Sequence, residues 1–148
     1  MAITTNAICN SFKKQLMGGE HDFDSAGGDT FKLAMYTSVA TLGASTTNYA
    51  STNEVTSASY TAGGKALVNS GVKVSSGVAI TSFSNLSWTG VTLTARGALI
   101  YNTTTDGGTG TTEAVAVLDF GGDKTATSGT FTIQFPAFTT SAAILRIS

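Results

Sequence analysis

The sequence predicts an all-β fold, a β-sandwich of jelly-roll type with one N-terminal α-helix. Three observations carry that reading. Short segments with period-two alternation recur along most of the chain. They are rich in β-branched and aromatic residues and bounded by Gly, Ser, Asn or Asp. Only one segment, near the N-terminus, has helical spacing, and no composition break or internal repeat divides the 148 residues. One domain follows, with an N-terminal arm and helix over 1–19 and the sandwich over 28–148.

The helix comes first. Ile8, Phe12 and Leu16 recur at i, i+4 and i+8 and form an apolar stripe. Thr5 or Asn6 is placed to cap it, Lys13 and Lys14 sit late where cations suit the helix dipole, and Gly18-Gly19 ends it. The helix is expected to lie against the sandwich or to reach a neighbour.

The strands follow in order. "TFKLAMYT" (30–37) puts Phe31, Leu33 and Met35 on one face. "KALVN" and "GVKVS" (65–75) read as a short pair turning at Asn69-Ser70-Gly71, followed by "VAITSF" (78–83). "VTLTARGALIYN" (91–102) is the longest, and Gly97 inside it marks a bulge or bend. "AVAVLDF" (114–120), "TFTIQF" (130–135) and "AILRI" (143–147) complete the set. The expected core is Phe31, Leu33, Met35, Leu93, Leu99, Val115, Val117, Phe131, Ile133, Phe135, Leu145 and Ile147. Leu86 and Trp88 share a face and are expected to fill it too. Two stretches lack periodicity. Residues 103–112 read as a flexible hairpin tip, and 38–54 is long for a loop, which points to a role or to ordering by a partner.

Candidate chemistry is sparse. "VLDFGGDK" (117–124) contains Asp119-Phe120-Gly121, the tripeptide that holds magnesium in protein kinases. The glycine-rich loop, strand lysine and H-R-D loop that kinase chemistry requires are missing from the chain. The stretch reads instead as a turn, Gly121 to Gly129, between two strands. "YTAGGKAL" lacks the spacing of a phosphate loop. "GEHDFD" gathers Glu20, His21, Asp22 and Asp24, but with no second His and no partner thiolates it reads as a solvated connection. A weak calcium contact at Asp22, Asp24 and Asp29 is the alternative there. His21 is the single histidine and Cys9 sits on the apolar face of the helix, so no nucleophile–base pair stands out. No catalytic residues, cofactor or metal site are therefore expected, and the chain does not read as an enzyme.

Composition points to a class. Charged residues make up 11% of the chain, against about 25% in ordinary domains. With a net charge of -1 and scattered basic residues, nucleic acid is not an expected partner. No apolar run reaches the roughly 18 residues of a membrane span, so no membrane partner is expected either. The start "MAITTNAICNSF" lacks the regions of a secretory signal, so the expected site of synthesis is a cytoplasm without general secretory export. One cysteine excludes an internal disulfide. A surface of Thr, Ser, Gly and Ala carries few of the charged side chains that are depleted at buried interface centres, so it suits packing among neighbours.

Taken in order, "MAITTNAICNSFK", "GDTFKLAMYTS", "TARGALIYN", "AVAVLDFGGDK", "FTIQFP" and the final "ILRIS" resemble a family of small virion structural proteins of tailed bacteriophages. The resemblance spans essentially the whole chain and lies in the ordered set of segments. It implies a non-enzymatic virion component made in the host cytoplasm and does not fix its place in the particle; the small size, the low charge and the helix or 38–54 segment as attachment elements favour a capsid decoration (cement) protein. Its partners would be the major capsid protein or other virion subunits, and it would form a homo-oligomer, with a trimer favoured. Residues 38–54 and the N-terminal arm are the expected contacts. A tail component (tube, collar or fibre module) is the alternative. A carbohydrate-binding module for receptor recognition is a third, using Tyr36, Tyr49, Tyr60, Trp88 and Tyr101 as stacking platforms.

Overall fold

The computed structural model describes residues 3–104 and 110–148. Two antiparallel sheets and one helix make up its regular structure. The elements are β1 (Ala7–Ile8), α1 (Asn10–Met17), β2 (Phe31–Tyr36), β3 (Lys65–Ala66), β4 (Asn69–Ser75), β5 (Val78–Phe83), β6 (Leu86–Asn102), β7 (Glu113–Ile133) and β8 (Leu145–Ile147). The larger sheet has the order β1-β7-β6-β2-β3, and the smaller is β4-β5-β8. The all-β class with a single helix is as expected. Residues 105–109, at the tip of the expected 103–112 hairpin, lie outside the described residues.

The spine is the β6–β7 ribbon, 17 and 21 residues long. Here the structure corrects the reading of "VLDFGGDK". The chain does not reverse between Gly121 and Gly129; it stays paired to β6, with Asp119 opposite Gly97, Lys124 opposite Ala95 and Gly129 opposite Val91. Five steps on β7 therefore face two on β6. Gly121, at φ 76°, takes up the excess as a bulge rather than a turn. The expected irregularity at Gly97 is present on the facing strand, between Ala95 and Gly97. A Cβ on Gly97 would lie 2.5 Å from the Leu118 carbonyl oxygen and 2.8 Å from Ile3 Cδ1. That missing Cβ lets the buried Ile3 side chain pack directly on Gly97.

The 65–75 segment is also corrected. Its halves do not pair with each other: β3 pairs with β2 and β4 with β5. Gly64, at φ 74°, lies so near Leu33 that a Cβ would fall 1.8 Å from its carbonyl oxygen, which delivers Lys65 to the edge of β2. Leu67 N–H then donates to Phe31 O, after which the chain crosses to the second sheet. Asn69 anchors that crossing, its Nδ2 donating to the carbonyls of Asp24 and Asp29 at 3.1 and 3.0 Å.

At the N-terminus, Ile8 belongs to β1 opposite Ala116, and α1 begins two residues later with Cys9 as its cap residue. Neither Thr5 nor Asn6 caps the helix. Asn6 Oδ1 instead accepts Asp119 N–H at 2.7 Å, and so ties the N-terminal segment to the bulged strand. Phe12 is buried, Leu16 half-buried, and Gly18-Gly19 ends the helix as expected.

Nine of the twelve expected core residues are buried, from Phe31 through Ile133, and Trp88 joins them. Phe135 and Leu145 pack against that core only in part. Ile147 is 61% exposed, for a reason that the second sheet makes plain.

Candidate assembly surface

The register of the small sheet sorts its side chains. Val72, Thr81 and Leu145 stand opposite one another, as do Val74, Ala79 and Ile147, so these six share one face. Lys73, Ile80 and Arg146 share the other. On that face Ile80 is buried, while Lys73 and Arg146 reach the connection before β8: Lys73 Nζ stands 4.2 Å from the Phe138 ring centroid, and Arg146 donates to Thr140 O. The Val72 face continues in alternation to Phe83, which packs against Phe23, Phe31 and Phe135 with ring centroids 5.5 to 6.2 Å apart. It is thus the inner face of the sandwich at its Phe83 end. Farther along, the sheet loses its cover, leaving Val72 53%, Val74 71% and Ile147 61% exposed.

Opposite this open stretch stands α1. Phe12, Lys13, Leu16 and Met17 line a cleft of about 1030 Å³ together with Val72 and residues 78–81 and 144–148 of the small sheet and its flank, and His21 and Phe23 also border it. Met17 is 92% exposed at its rim. Covering a valine or isoleucine that is now in water stabilises a complex by about 1–2 kcal/mol per side chain. A smaller cleft, about 520 Å³, lies along β7 near Phe120, Phe131 and Phe135.

The other polar groups singled out in the sequence are engaged internally. Asp119 pairs with Arg96 and accepts Gly121 N–H at 2.8 Å. The Gly121 N–H and then the Arg96 guanidinium hold its carboxyl below the usual range. The 19–24 connection is not simply solvated: His21 and Phe23 are buried. Asp29, also buried, accepts Asp22 N–H at 3.0 Å and Asn102 Nδ2 at 2.6 Å, so its carboxylate closes a loop. Among the described residues no group of three or more His, Cys, Asp and Glu is placed to hold a metal ion.

Residues 38–54 are ordered by the chain itself. Glu54, buried, accepts the hydroxyl protons of Tyr49 and Tyr60, both at 2.7 Å, and Gly63 N–H at 2.8 Å. Tyr101 donates to Gly63 O at 2.6 Å and stacks on Tyr49, and Tyr36 donates to Ala50 O. Burial pushes the Tyr101 phenol up to about 12, and burial with the Glu54 charge pushes Tyr36, Tyr49 and Tyr60 up as well. Tyr36, Tyr60, Tyr101 and Trp88 are buried and Tyr49 is half-buried, so these five do not form an exposed stacking platform.

Sequence reasoning missed Glu54 and Asn102 as the centres of buried networks. Four tyrosines beside a lone acid were visible, but not that they converge. No helix among the described residues is long and apolar enough to cross a membrane. Comparison with protein-family models, with curated proteins and with solved structures gave no match.

Proposed function

We propose that this chain is a non-enzymatic structural protein of a tailed-phage virion, a capsid decoration protein that binds and stabilises the assembled shell. The observation that carries the reading is the half-covered face of the small sheet, where Val72 and Ile147 line the cleft with Met17 and Val74 stands exposed on the same face. An apolar cleft on a domain with 11% charged residues suits a surface that is covered in use. The resemblance of the ordered segments to small virion proteins supports a shell subunit as the class of neighbour. The protein acts as a homo-oligomer, with a trimer favoured, and many modest contacts then add up on the lattice. Residues 38–54 remain a candidate contact through Val39, 69% exposed, although their folding does not wait for a partner.

The test is co-sedimentation of purified protein with empty shells and with dissociated coat subunits. Binding to shells alone is expected. Val74→Lys and Ile147→Lys, each on an exposed side chain, are expected to weaken it about tenfold apiece while leaving the fold intact. Equal binding by wild type and both variants would remove the cleft from the interface. A tail component is the second reading, favoured by the free edges of β4 and β8, through which a ring of small sheets could close.

A further inference from the structure

The buried His21 sits between α1 and the end of β6, and its two nitrogens face different elements. Nε2 is 3.1 Å from Gln15 Oε1 on α1, and Nδ1 is 2.9 Å from Asn102 Nδ2 on β6. The orientation of Asn102 is fixed independently. Its Oδ1 accepts Thr104 N–H at 2.9 Å, and its Nδ2 donates to Asp29 Oδ2. The group facing Nδ1 is therefore a donor, so Nδ1 must accept, and the ring is neutral with its proton on Nε2, donating to Gln15.

We propose that His21 is an acid-operated latch, which in its neutral form ties the C-terminal half of α1 to the sheet and on protonation lets that half go. A proton taken from solvent onto Nδ1 turns the contact with Asn102 into donor against donor, while the Nε2–H bond to Gln15 persists. Histidine and the last turn of α1 then separate together from β6. The first turn stays, because Cys9 N–H donates to Val115 O and Asn10 N–H to Ala44 O. Leu16 and Met17 line the apolar cleft, so the latch widens it.

The charged groups acting on the ring are Asp29 and Glu20 from the connection after α1 and Glu113 from β7. All three favour the proton, but burial opposes it and prevails, holding the imidazole below its usual value. The remaining faces of the ring are α1, which offers Phe12 and Gln15, β6, which offers Asn102, and β2, which offers Phe31; none of these ionises. A depressed histidine contributes stability that is complete above about pH 6.5 and declines as pH falls from there toward the folded value.

This is the only histidine, so its ring signals need no assignment. Long-range proton–nitrogen NMR on the whole chain, from pH 8 to 4.5, is expected to show the Nε2–H tautomer and a midpoint below 6.5. The amides of Gln15 to Met17 should change with the same midpoint, and in His21→Gln that component should vanish. An Nδ1–H tautomer, a midpoint at or above 6.5, or helix signals that move out of step with the ring would overturn the latch. So would an unchanged helix transition in His21→Gln; should that variant not fold, the wild-type coincidence of midpoints decides alone.

Discussion

Glu54 is buried and, among the described residues, forms no salt bridge; it is held by two phenols and one backbone N–H. Replacing it by alanine strands three donors at once, two of them buried. Glu54→Ala is expected to cost about 3 kcal/mol or more in urea unfolding, with the 38–64 excursion losing protection first. The tyrosines give a second residue-level outcome. A phenol raised above its usual value near 10 stabilises the fold fully below pH 10 and loses that contribution as pH rises through the folded value. Absorbance at 295 nm should therefore show the four tyrosines ionising together with unfolding, above pH 10, rather than singly. Cys9, its thiol pushed up to about 11 by burial, should resist thiol reagents until the chain unfolds.

At the scale of elements, two glycines with the same φ of 74–76° predict different costs. Gly121 opens into free space, so Gly121→Ala carries only the left-handed backbone penalty, about 1 kcal/mol. Gly64 abuts Leu33, so Gly64→Ala should cost at least about 3 kcal/mol by displacing the chain from β2. Deleting residues 1–18 is similarly informative. Sequence pattern leaves this arm either to lie against the sandwich or to reach a neighbour, whereas Ile3, Cys9 and Phe12 are buried and β1 pairs with β7 at the sheet edge. The deletion is now expected to destabilise the domain, which a thermal melt would show directly.

The same elements show what pattern can and cannot carry. Alternation in β2 and β6 names inward residues such as Phe31, Leu33, Met35, Leu93 and Leu99, because period two is a local property of the chain. It cannot say that Gly121 to Gly129 continues one strand, since a turn and a bulge call on the same residue types, and only the partner strand decides between them. Nor can it foresee that Asn69 anchors a crossing, because its carbonyl partners lie 40 and 45 residues away. The exposure of Ile147 escaped for a related reason. Its alternation is that of a core residue, and it does stand on the inner face; what is missing is the cover.

At the scale of the whole molecule, that missing cover is the central feature. The sandwich is closed where Phe83 meets Phe23 and Phe31 and open where Val72 and Ile147 share a cleft with α1, with Val74 exposed on the same face. A partner that fills the opening would complete the inner face, which is the physical content of the decoration proposal. The most direct measurement is the copy number of this chain relative to the major capsid protein in purified virions, by quantitative mass spectrometry. The account predicts a ratio near one, or a simple fraction such as about one third for one trimer-sized site shared among several subunits. A few dozen copies or fewer per particle would contradict it and place the chain in the tail.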